Sequence, residues 1–236
     1  MALTTVKNSG LSGSIDLTSK VTGTLPVPNG GIGIASGTTD QFLKFTGSTT
    51  LASAADNTGG LVLIERIQGT GDIASIAFNG KITTTYTKYM LYIGRCANDS
   101  DAEDFRLRFL NSSNTEYDGG HYTYGMLYKD FGNGNDGGDH GQGQNQFGLA
   151  SGHNGSDNTP HFGQYFLYCN NQTDSTDRPM ITGTGIWHHE AQHDPRGFWW
   201  AGSFSQSSAP VHGLKLYASS GDLSDYDVSL FGIKDT

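Results

Sequence analysis

The feature that most constrains the fold is a series of short segments, from Leu61 to the end of the chain, in which apolar and polar residues alternate. The clearest is Phe105–Phe109, which reads Phe-Arg-Leu-Arg-Phe, so its three apolar residues would share one face of a strand. Clusters of Gly, Asn, Asp and Ser separate the segments, and none has the period and caps of a helix. The spacing predicts an all-β fold, an antiparallel β-sandwich of the jelly-roll type. The predicted strands are Leu61–Ile67, Ile73–Phe78, Lys88–Gly94, Phe105–Leu110, Tyr122–Tyr128, Phe162–Cys169, Ile181–Trp187, Phe198–Phe204, Val211–Tyr217 and Tyr226–Ile233.

Residues 1–60 differ in composition from the rest, since Ser, Thr, Gly and Ala surround isolated apolar residues. Within this region Pro26 and Pro28 fix the backbone and remove two hydrogen-bond donors, and Asn29–Gly31 supplies positions able to take a positive φ. Asp56–Gly60 has the composition of a linker. We therefore predict two parts, an extended anchoring arm over residues 1–60 and a β-sandwich head over residues 61–236.

The apolar residues of the arm are spaced too irregularly for a sustained strand or helix. A solvated, disordered terminus is one interpretation, and an arm that a partner orders is the other. The second is favoured because a solvated tail would not need recurring apolar residues. The segment Gln41–Phe45 alternates more cleanly and predicts a short strand. The residues expected to anchor the arm are Leu11, Ile15, Leu17, Val21, Leu25, Pro26, Val27, Pro28, Phe42 and Leu43.

Charge and hydropathy exclude several classes of partner. Charged residues make up 16% of the 236 residues, the net charge is -9, and no basic run occurs. Because nucleic-acid binding relies on clustered Lys and Arg, no nucleic acid is expected. Residues 1–7 lack the apolar core of a signal peptide, and no apolar segment approaches the ~20 residues of a membrane helix. We expect a soluble protein without membrane insertion. Cys96 and Cys169 are expected to be buried free thiols, with a disulfide between them as the alternative.

The sharpest match to a catalytic motif is His189-Glu190-Ala191-Gln192-His193, which fits the H-E-x-x-H signature of zinc hydrolases. In that signature a helix places both histidines on the metal, and the glutamate acts on the bound water. Here the preceding Ile181–Trp187 has the composition of a strand, and Pro195 limits any helix after His193. We therefore predict no enzymatic activity and no cofactor. Metal binding by His189, Glu190 and His193 is the disfavoured alternative.

The segment Phe131–Thr159 is rich in Gly, Asn and Asp and is predicted to be one long loop, with Gln146–Ala150 as a small strand in its middle. Its Asp136, Asp139 and His140 could bind a cation, but their spacing does not match the calcium loop of an EF-hand. A solvated loop is the favoured interpretation.

Aromatic residues provide the other candidate site. Trp199 and Trp200 are consecutive, so on a strand they point to opposite faces, one into the core and the other outward. Exposed aromatic side chains stack on sugars or fill protein interfaces. The candidate surface-contact residues are Trp199, Trp200, Tyr122 and Tyr124, with packing under the long loop as the alternative.

Three segments carry a resemblance to a known family. Gly23–Gly33 resembles the G-T-L-P-V-x-N-G-G-T-G segment of bacteriophage tail-fibre and related virion proteins, and it differs at Pro28 and Ile32. Asp40–Phe45 resembles the segment that often follows it. Val228–Lys234 resembles the last strand of the β-sandwich heads of such proteins.

This resemblance implies a homotrimeric, non-enzymatic structural protein of a phage virion, with intertwined N-terminal strands that also serve trimerisation. The expected location is the virion, assembled in the host cytoplasm, and the expected partners are further copies of the chain and the major capsid protein or another virion protein. A capsid decoration (cement) or short head-fibre role is preferred, because no tail-adaptor domain or long shaft is evident. The alternative is a receptor-binding tail-fibre tip that recognises host surface glycan.

Overall fold

The computed structural model describes residues 42–45, 51–54, 60–100, 103–132, 134–153, 161–169, 178–188, 195–206 and 210–234. Contacts divide the chain into two units, residues 1–58 and residues 59–236. In the first unit, β1 (Phe42–Phe45) and β2 (Leu51–Ala54) form an antiparallel pair, which agrees with the strand predicted at Gln41–Phe45. Leu43 is exposed on β1. The predicted anchoring residues from Leu11 to Pro28 lie outside the described residues.

The second unit is built from strands, and no helix occurs in the described ranges of the chain. Its strands are β3 (Leu61–Gly69), β4 (Ile76–Phe78), β5 (Lys88–Asn98), β6 (Glu103–Leu110), β7 (Tyr122–Asp130), β8 (Asp136–Gln144), β9 (Phe147–His153), β10 (His161–Tyr168), β11 (Met180–His188), β12 (Pro195–Phe204), β13 (Gly213–Ala218) and β14 (Leu223–Ile233). One sheet has eight strands in the order β3-β14-β5-β10-β11-β12-β7-β8, and the other has four in the order β4-β13-β6-β9. Neighbouring strands are antiparallel. The all-β prediction is confirmed, and each of the ten predicted strands has a counterpart.

The two sheets share one core, because alternate residues of each sheet point toward the other. Phe105, Leu107 and Phe109 of β6 are buried, whereas the arginines between them are partly exposed, as the alternation predicts. The ring of Phe109 meets Phe204 of the larger sheet edge-on at 5.4 Å between centroids. Phe105 in turn lies 5.0 Å from the ring of His161 on β10. Burial of these large side chains is the main source of stability in such a core.

The prediction of one long loop over Phe131–Thr159 is wrong, since β8 and β9 occupy most of it. The strand expected at Gln146–Ala150 is confirmed as part of β9. Glycines in β8 make room for aromatic rings of the neighbouring β7. A Cβ on Gly137 would stand 2.4 Å from the ring of Tyr128, and one on Gly141 would stand 2.6 Å from the ring of Tyr124. The glycines therefore serve close packing between strands, where aromatic side chains cover a glycine-rich edge.

Gly185 of β11 provides a test of how tightly the larger sheet is packed. A Cβ at this position would stand 2.2 Å from the main-chain oxygen of Phe162 and 2.7 Å from the ring of Phe198. Because the backbone of a central strand cannot yield cheaply, we expect Gly185→Ala to lower the free energy of unfolding by about 1–3 kcal/mol. Gly125 of β7 is the matched control, because a Cβ there meets nothing within 4 Å. Urea denaturation should show Gly125→Ala unchanged or slightly stabilised, and an equal loss in both variants would contradict the packing described.

Cys96 and Cys169 are both buried and free, which confirms the prediction of two buried thiols. Burial in the apolar core raises the pKa of the Cys169 thiol to about 12 and raises that of Cys96 further. Both thiols are therefore protonated at neutral pH and unreactive as nucleophiles. A search of the described residues for a helix long and apolar enough to cross a membrane finds none.

Candidate functional site

The candidate site is the face of the eight-stranded sheet that points away from the core, called here the outer face. On β10 every second residue is buried, and those between them, Phe162, Gln164, Phe166 and Tyr168, are exposed. A surface-facing strand usually alternates apolar with polar residues, whereas β10 carries large apolar side chains on both of its faces. The exposed large apolar residues on the outer face are Leu61, Leu63, Tyr92, Leu127, Phe162, Phe166, Tyr168, Met180 and Trp199.

The strand register joins many of these residues into continuous cross-strand rows. One row runs from Leu63 of β3 through Phe231 of β14 and Met90 of β5 to Phe166 of β10. A second row lies two residues from the first on each strand, and it contains Leu61, Ile233, Lys88, Tyr168 and Met180. Directly opposed residues on neighbouring strands have Cβ atoms about 4.5–5.5 Å apart, so neighbouring side chains within one row are close enough to pack together. These rows form an apolar patch over β3, β14, β5, β10 and β11, at whose middle Met90 is only 8% exposed and Lys88 is charged.

The outer face of the smaller sheet is different, because it carries a network of charged side chains. Arg108 donates to the carboxylate of Glu116 at 2.6 Å, Lys215 donates to the same carboxylate, and the Arg108 guanidinium lies 5.2 Å from the ring centre of Tyr217. Such a surface is suited to water. The two outer faces of the head therefore have opposite character, one charged and one apolar.

Glu116 makes the charged network sensitive to pH. Burial alone would raise its pKa, but hydrogen bonds from Lys215 and Arg108 outweigh this and hold the pKa below the ordinary 4.5. Since the unfolded chain binds the proton more readily, the stabilisation is fully present above pH 4.5 and is lost as the pH falls through the lowered value. We expect Glu116→Gln to cost about 1–2 kcal/mol at pH 7. That cost should shrink as unfolding is measured toward pH 3, and a cost that does not change with pH would contradict this role.

The side chains of Trp199 and Trp200 point to opposite faces of β12, as the alternation predicts. Trp199 is 64% exposed on the outer face, whereas Trp200 is 2% exposed and its indole N–H donates to the main-chain oxygen of Gly148 at 2.7 Å. Tyr122 is also buried, and its hydroxyl accepts a hydrogen bond from the amide of Phe109 at 3.0 Å. The assignment of Trp200 and Tyr122 to surface contact is therefore wrong, because both complete the core. Trp199 remains an exposed candidate.

Tyr124 is the fourth candidate contact residue, and it is only partly exposed. Its ring lies against that of Trp200 at 5.9 Å between centroids. It also lies over β8 and β9, because a Cβ on Gly141 or Gly148 would stand under 3 Å from its side chain. The position therefore fits a structural residue at the edge of the core better than a contact residue.

A cleft of about 620 Å³ lies beside Trp199, between β11, β12 and the end of β7. Phe131 and Ile186 form its other apolar walls, and Phe131 lies directly over Gly197, where a Cβ would stand 2.9 Å from the ring. Lys129 lines one side and forms an ion pair with Asp136 at 2.9 Å. An open cleft with two exposed aromatic rings and one cation is able to bind the apolar face of a sugar ring by stacking.

The H-E-x-x-H motif itself, residues 189–193, lies outside the described residues. Its flanks are described, and both are strands of one antiparallel pair, with His188 of β11 opposite Pro195 of β12. A catalytic helix carrying this motif would extend beyond it on both sides. Within the residues that the structure covers, no group of three or more His, Cys, Asp or Glu side chains is arranged to hold a metal ion.

The other possible cation ligands do not converge. Asp136 and His140 lie at alternate positions of β8, so they share one face of the strand, and Asp139 belongs to the opposite face. Asp136 is engaged by Lys129, and the carboxylate of Asp139 accepts the amide hydrogen of His140 at 2.7 Å. The strand conformation of β8 therefore separates the ligands that the sequence places close together.

The outer-face patch was not recognised from the sequence, although one signal for it is present. The segment Phe162–Tyr168 has large apolar residues at both odd and even positions, which indicates a strand covered on both faces. Its contribution to a shared patch depends on the neighbours that the sheet order supplies, above all β5 and β14, which are distant in sequence.

No protein-family model, curated protein or solved structure matches this chain.

Proposed function

We propose that the chain is a non-enzymatic structural protein of a phage virion, homotrimeric and attached to the particle by its N-terminal arm. The observation that carries the proposal is the opposite character of the two outer faces of the head. Large exposed apolar side chains grouped on one face are typical of a protein that functions within an assembly, and the charged face of the smaller sheet suits the exterior. The Gly23–Gly33 segment, through its resemblance to virion proteins, supports the choice of a phage particle as that assembly.

The strand order supports a jelly roll as the architecture of the head. The order β3-β14-β5-β10 in one sheet and β4-β13-β6-β9 in the other places the last two strands beside the first two. Two successive Greek keys give this kind of order, and jelly rolls of eight strands occur in viral capsid proteins and lectins. Strands β11, β12, β7 and β8 then extend one sheet of the jelly roll and form the wing that carries the cleft.

The preferred role is capsid decoration (cement) or a short head fibre, with the major capsid protein or another virion protein as the partner of the arm. The non-enzymatic part of the proposal is supported by β11 and β12, which flank the H-E-x-x-H motif and pair with each other as strands. The zinc-hydrolase signature requires a helix instead.

Attachment to particles tests this role directly. The full chain, added to particles that lack it, should co-sediment with them, and antibody to the head should label the virion in micrographs. A chain shortened by residues 1–33 should keep the circular-dichroism spectrum of the head but should not co-sediment. If the full chain does not bind capsids, or if the shortened chain binds normally, the proposed role is wrong.

A receptor-binding tail-fibre tip is the second candidate, favoured by the cleft at Trp199 and Phe131. In this role the two rings would stack on a host surface glycan. The full chain would bind a glycan array or whole host cells, and Trp199→Ala would remove that binding. Leu127→Ala is the matched control, because Leu127 is the outer-face neighbour of Trp199 on β7 but does not line the cleft. Equal binding by Trp199→Ala and the unaltered chain would exclude glycan recognition at this cleft.

A further inference from the structure

We propose that the cleft at Trp199 is one half of a longer groove across the outer face, and that this groove binds a neutral oligosaccharide in an extended conformation. The inference rests on the glycan recognition given above as the second candidate function. It adds a second aromatic subsite, formed by Tyr92 and Phe162, and it names the class of glycan. It does not depend on whether the chain is attached to a capsid or to a tail.

A second cleft, of about 250 Å³, lies on the same face as the cleft at Trp199. Tyr92 of β5 and Phe162 of β10 form its aromatic walls, and both side chains are exposed. Residues Thr184–Ile186 of β11 line both clefts, so the two clefts meet at this strand. The joined clefts are called here the outer groove.

The strand register places an aromatic ring at each end of the outer groove. One cross-strand row contains, in this order, Tyr92, Gln164, Thr184 and Trp199. Three strand spacings of about 4.8 Å separate Tyr92 from Trp199, which gives a distance of roughly 14 Å between their positions on the sheet. A single sugar ring is too small to contact both side chains. A ligand that uses the whole groove is therefore an oligosaccharide.

A second pair of rings lies along the other side of the groove. Phe162 is opposite Ile186, and Ile186 is opposite Gly197, over which the ring of Phe131 lies. This row is two residues away from the first on each strand, which is about 7 Å. Each end of the groove thus has two exposed aromatic rings, and each pair can hold the apolar face of a sugar ring by stacking.

The floor between the two pairs of rings is polar. Gln164 is exposed and Thr184 is partly exposed, and their side chains make no hydrogen bond to any residue that the structure describes. An amide and a hydroxyl group both donate and accept, as the hydroxyl groups of a sugar do. An apolar occupant would instead bury these two polar groups without partners, which costs free energy. The combination of rings and polar groups therefore favours a sugar chain.

The distribution of charge favours a neutral glycan over an acidic one. Arg66 and Lys129 stand at the ends of the two rows, and both are already paired with carboxylates. Arg66 binds Asp227 in a bidentate pair at 2.7 Å, and Lys129 binds Asp136 at 2.9 Å. The net charge of -9 also repels an anionic ligand.

Binding of the full chain to an array of neutral and acidic oligosaccharides, from single sugars to hexasaccharides, tests the inference. The chain should retain neutral oligosaccharides, but neither single sugars nor the acidic members. In isothermal titration with the neutral oligosaccharide that the array retains best, Tyr92→Ala and Trp199→Ala should each lower the affinity roughly 10-fold or more. Both side chains are exposed, so neither change removes core packing.

Tyr168→Ala is the matched control for Tyr92→Ala. Tyr168 is an exposed tyrosine on the same face of the sheet, but it lines neither cleft. This variant should bind like the unaltered chain. Gln164→Leu keeps the size of the side chain but loses its donor and acceptor, so it should weaken binding several-fold.

The possible outcomes separate this inference from the proposals on which it builds. Binding that Trp199→Ala removes and Tyr92→Ala leaves unchanged would keep glycan recognition at the first cleft and overturn the longer groove. Retention of acidic glycans alone, of no oligosaccharide, or of a proline-rich peptide instead would overturn the ligand class, since aromatic grooves also bind such peptides. A chain that co-sediments with particles but binds no oligosaccharide contradicts this inference and leaves the structural role intact.

Discussion

Replacing Trp200 with alanine is expected to lower the free energy of unfolding by about 3–5 kcal/mol, one of the two largest effects that a single substitution should have on this head. Trp200 is 2% exposed, and its ring meets Phe147 edge-on at 5.2 Å between centroids. Its indole N–H also donates to the main-chain oxygen of Gly148 at 2.7 Å. Since Trp200 belongs to β12 and Gly148 to β9, the side chain joins the two sheets by packing and by a hydrogen bond.

Urea denaturation monitored by circular dichroism measures this loss, and Trp199→Ala is its control. Trp199 is the adjacent residue and has the same side chain, but it is 64% exposed on the outer face. Its removal should change the stability of the single chain by no more than about 0.5 kcal/mol. Trp200→Phe keeps most of the ring but loses the donor, so it should fall between the two. Similar losses for Trp199→Ala and Trp200→Ala would contradict the direction that the sheet assigns to these two side chains.

The sequence predicts the strands of this head well where apolar and polar residues alternate. Segments such as Phe105–Phe109 and Leu214–Tyr217 indicate both their conformation and their inner face, because the period of two is a direct property of the strand. The prediction that Trp199 and Trp200 point to opposite faces has the same basis. Which of them is buried depends on register, since Trp200 points toward Gly148 of a strand in the other sheet.

The sequence does not predict strand β8 and predicts β9 only in part, for a physical reason. A glycine has no side chain, so Gly137 and Gly141 cannot show an alternation of apolar and polar residues. A segment that is so rich in glycine has the composition of a loop. Their function is visible only beside Tyr128 and Tyr124 of β7, whose rings occupy the space that a Cβ would need. The outer-face patch depends on sheet order in the same way, because its rows are formed by strands that are far apart in sequence.

Replacing Asp130 with alanine is expected to lower the free energy of unfolding by about 3–5 kcal/mol, because it leaves a buried cation without its partner. Asp130 is 1% exposed at the end of β7, and its carboxylate accepts from the guanidinium of Arg196 at 3.1 Å and from the amide of Gly132 at 3.1 Å. The Arg196 side chain is 12% exposed and lies over the ring of Tyr128 at 4.6 Å. The substitution therefore removes the anion from a site in which the cation is held by packing.

Asp136→Ala is the matched control for this loss. Asp136 also forms an ion pair with a cation of β7, Lys129, at 2.9 Å, but its side chain is 81% exposed. An exposed pair contributes about 0–1 kcal/mol, because water and salt screen both charges. Adding 1 M NaCl should therefore abolish any effect of Asp136→Ala and leave most of the effect of Asp130→Ala, because the buried pair is screened much less. If Asp130→Ala and Asp136→Ala cost the same, the pair at the start of β12 is solvated, and the connection from β7 to β12 does not depend on a buried charge.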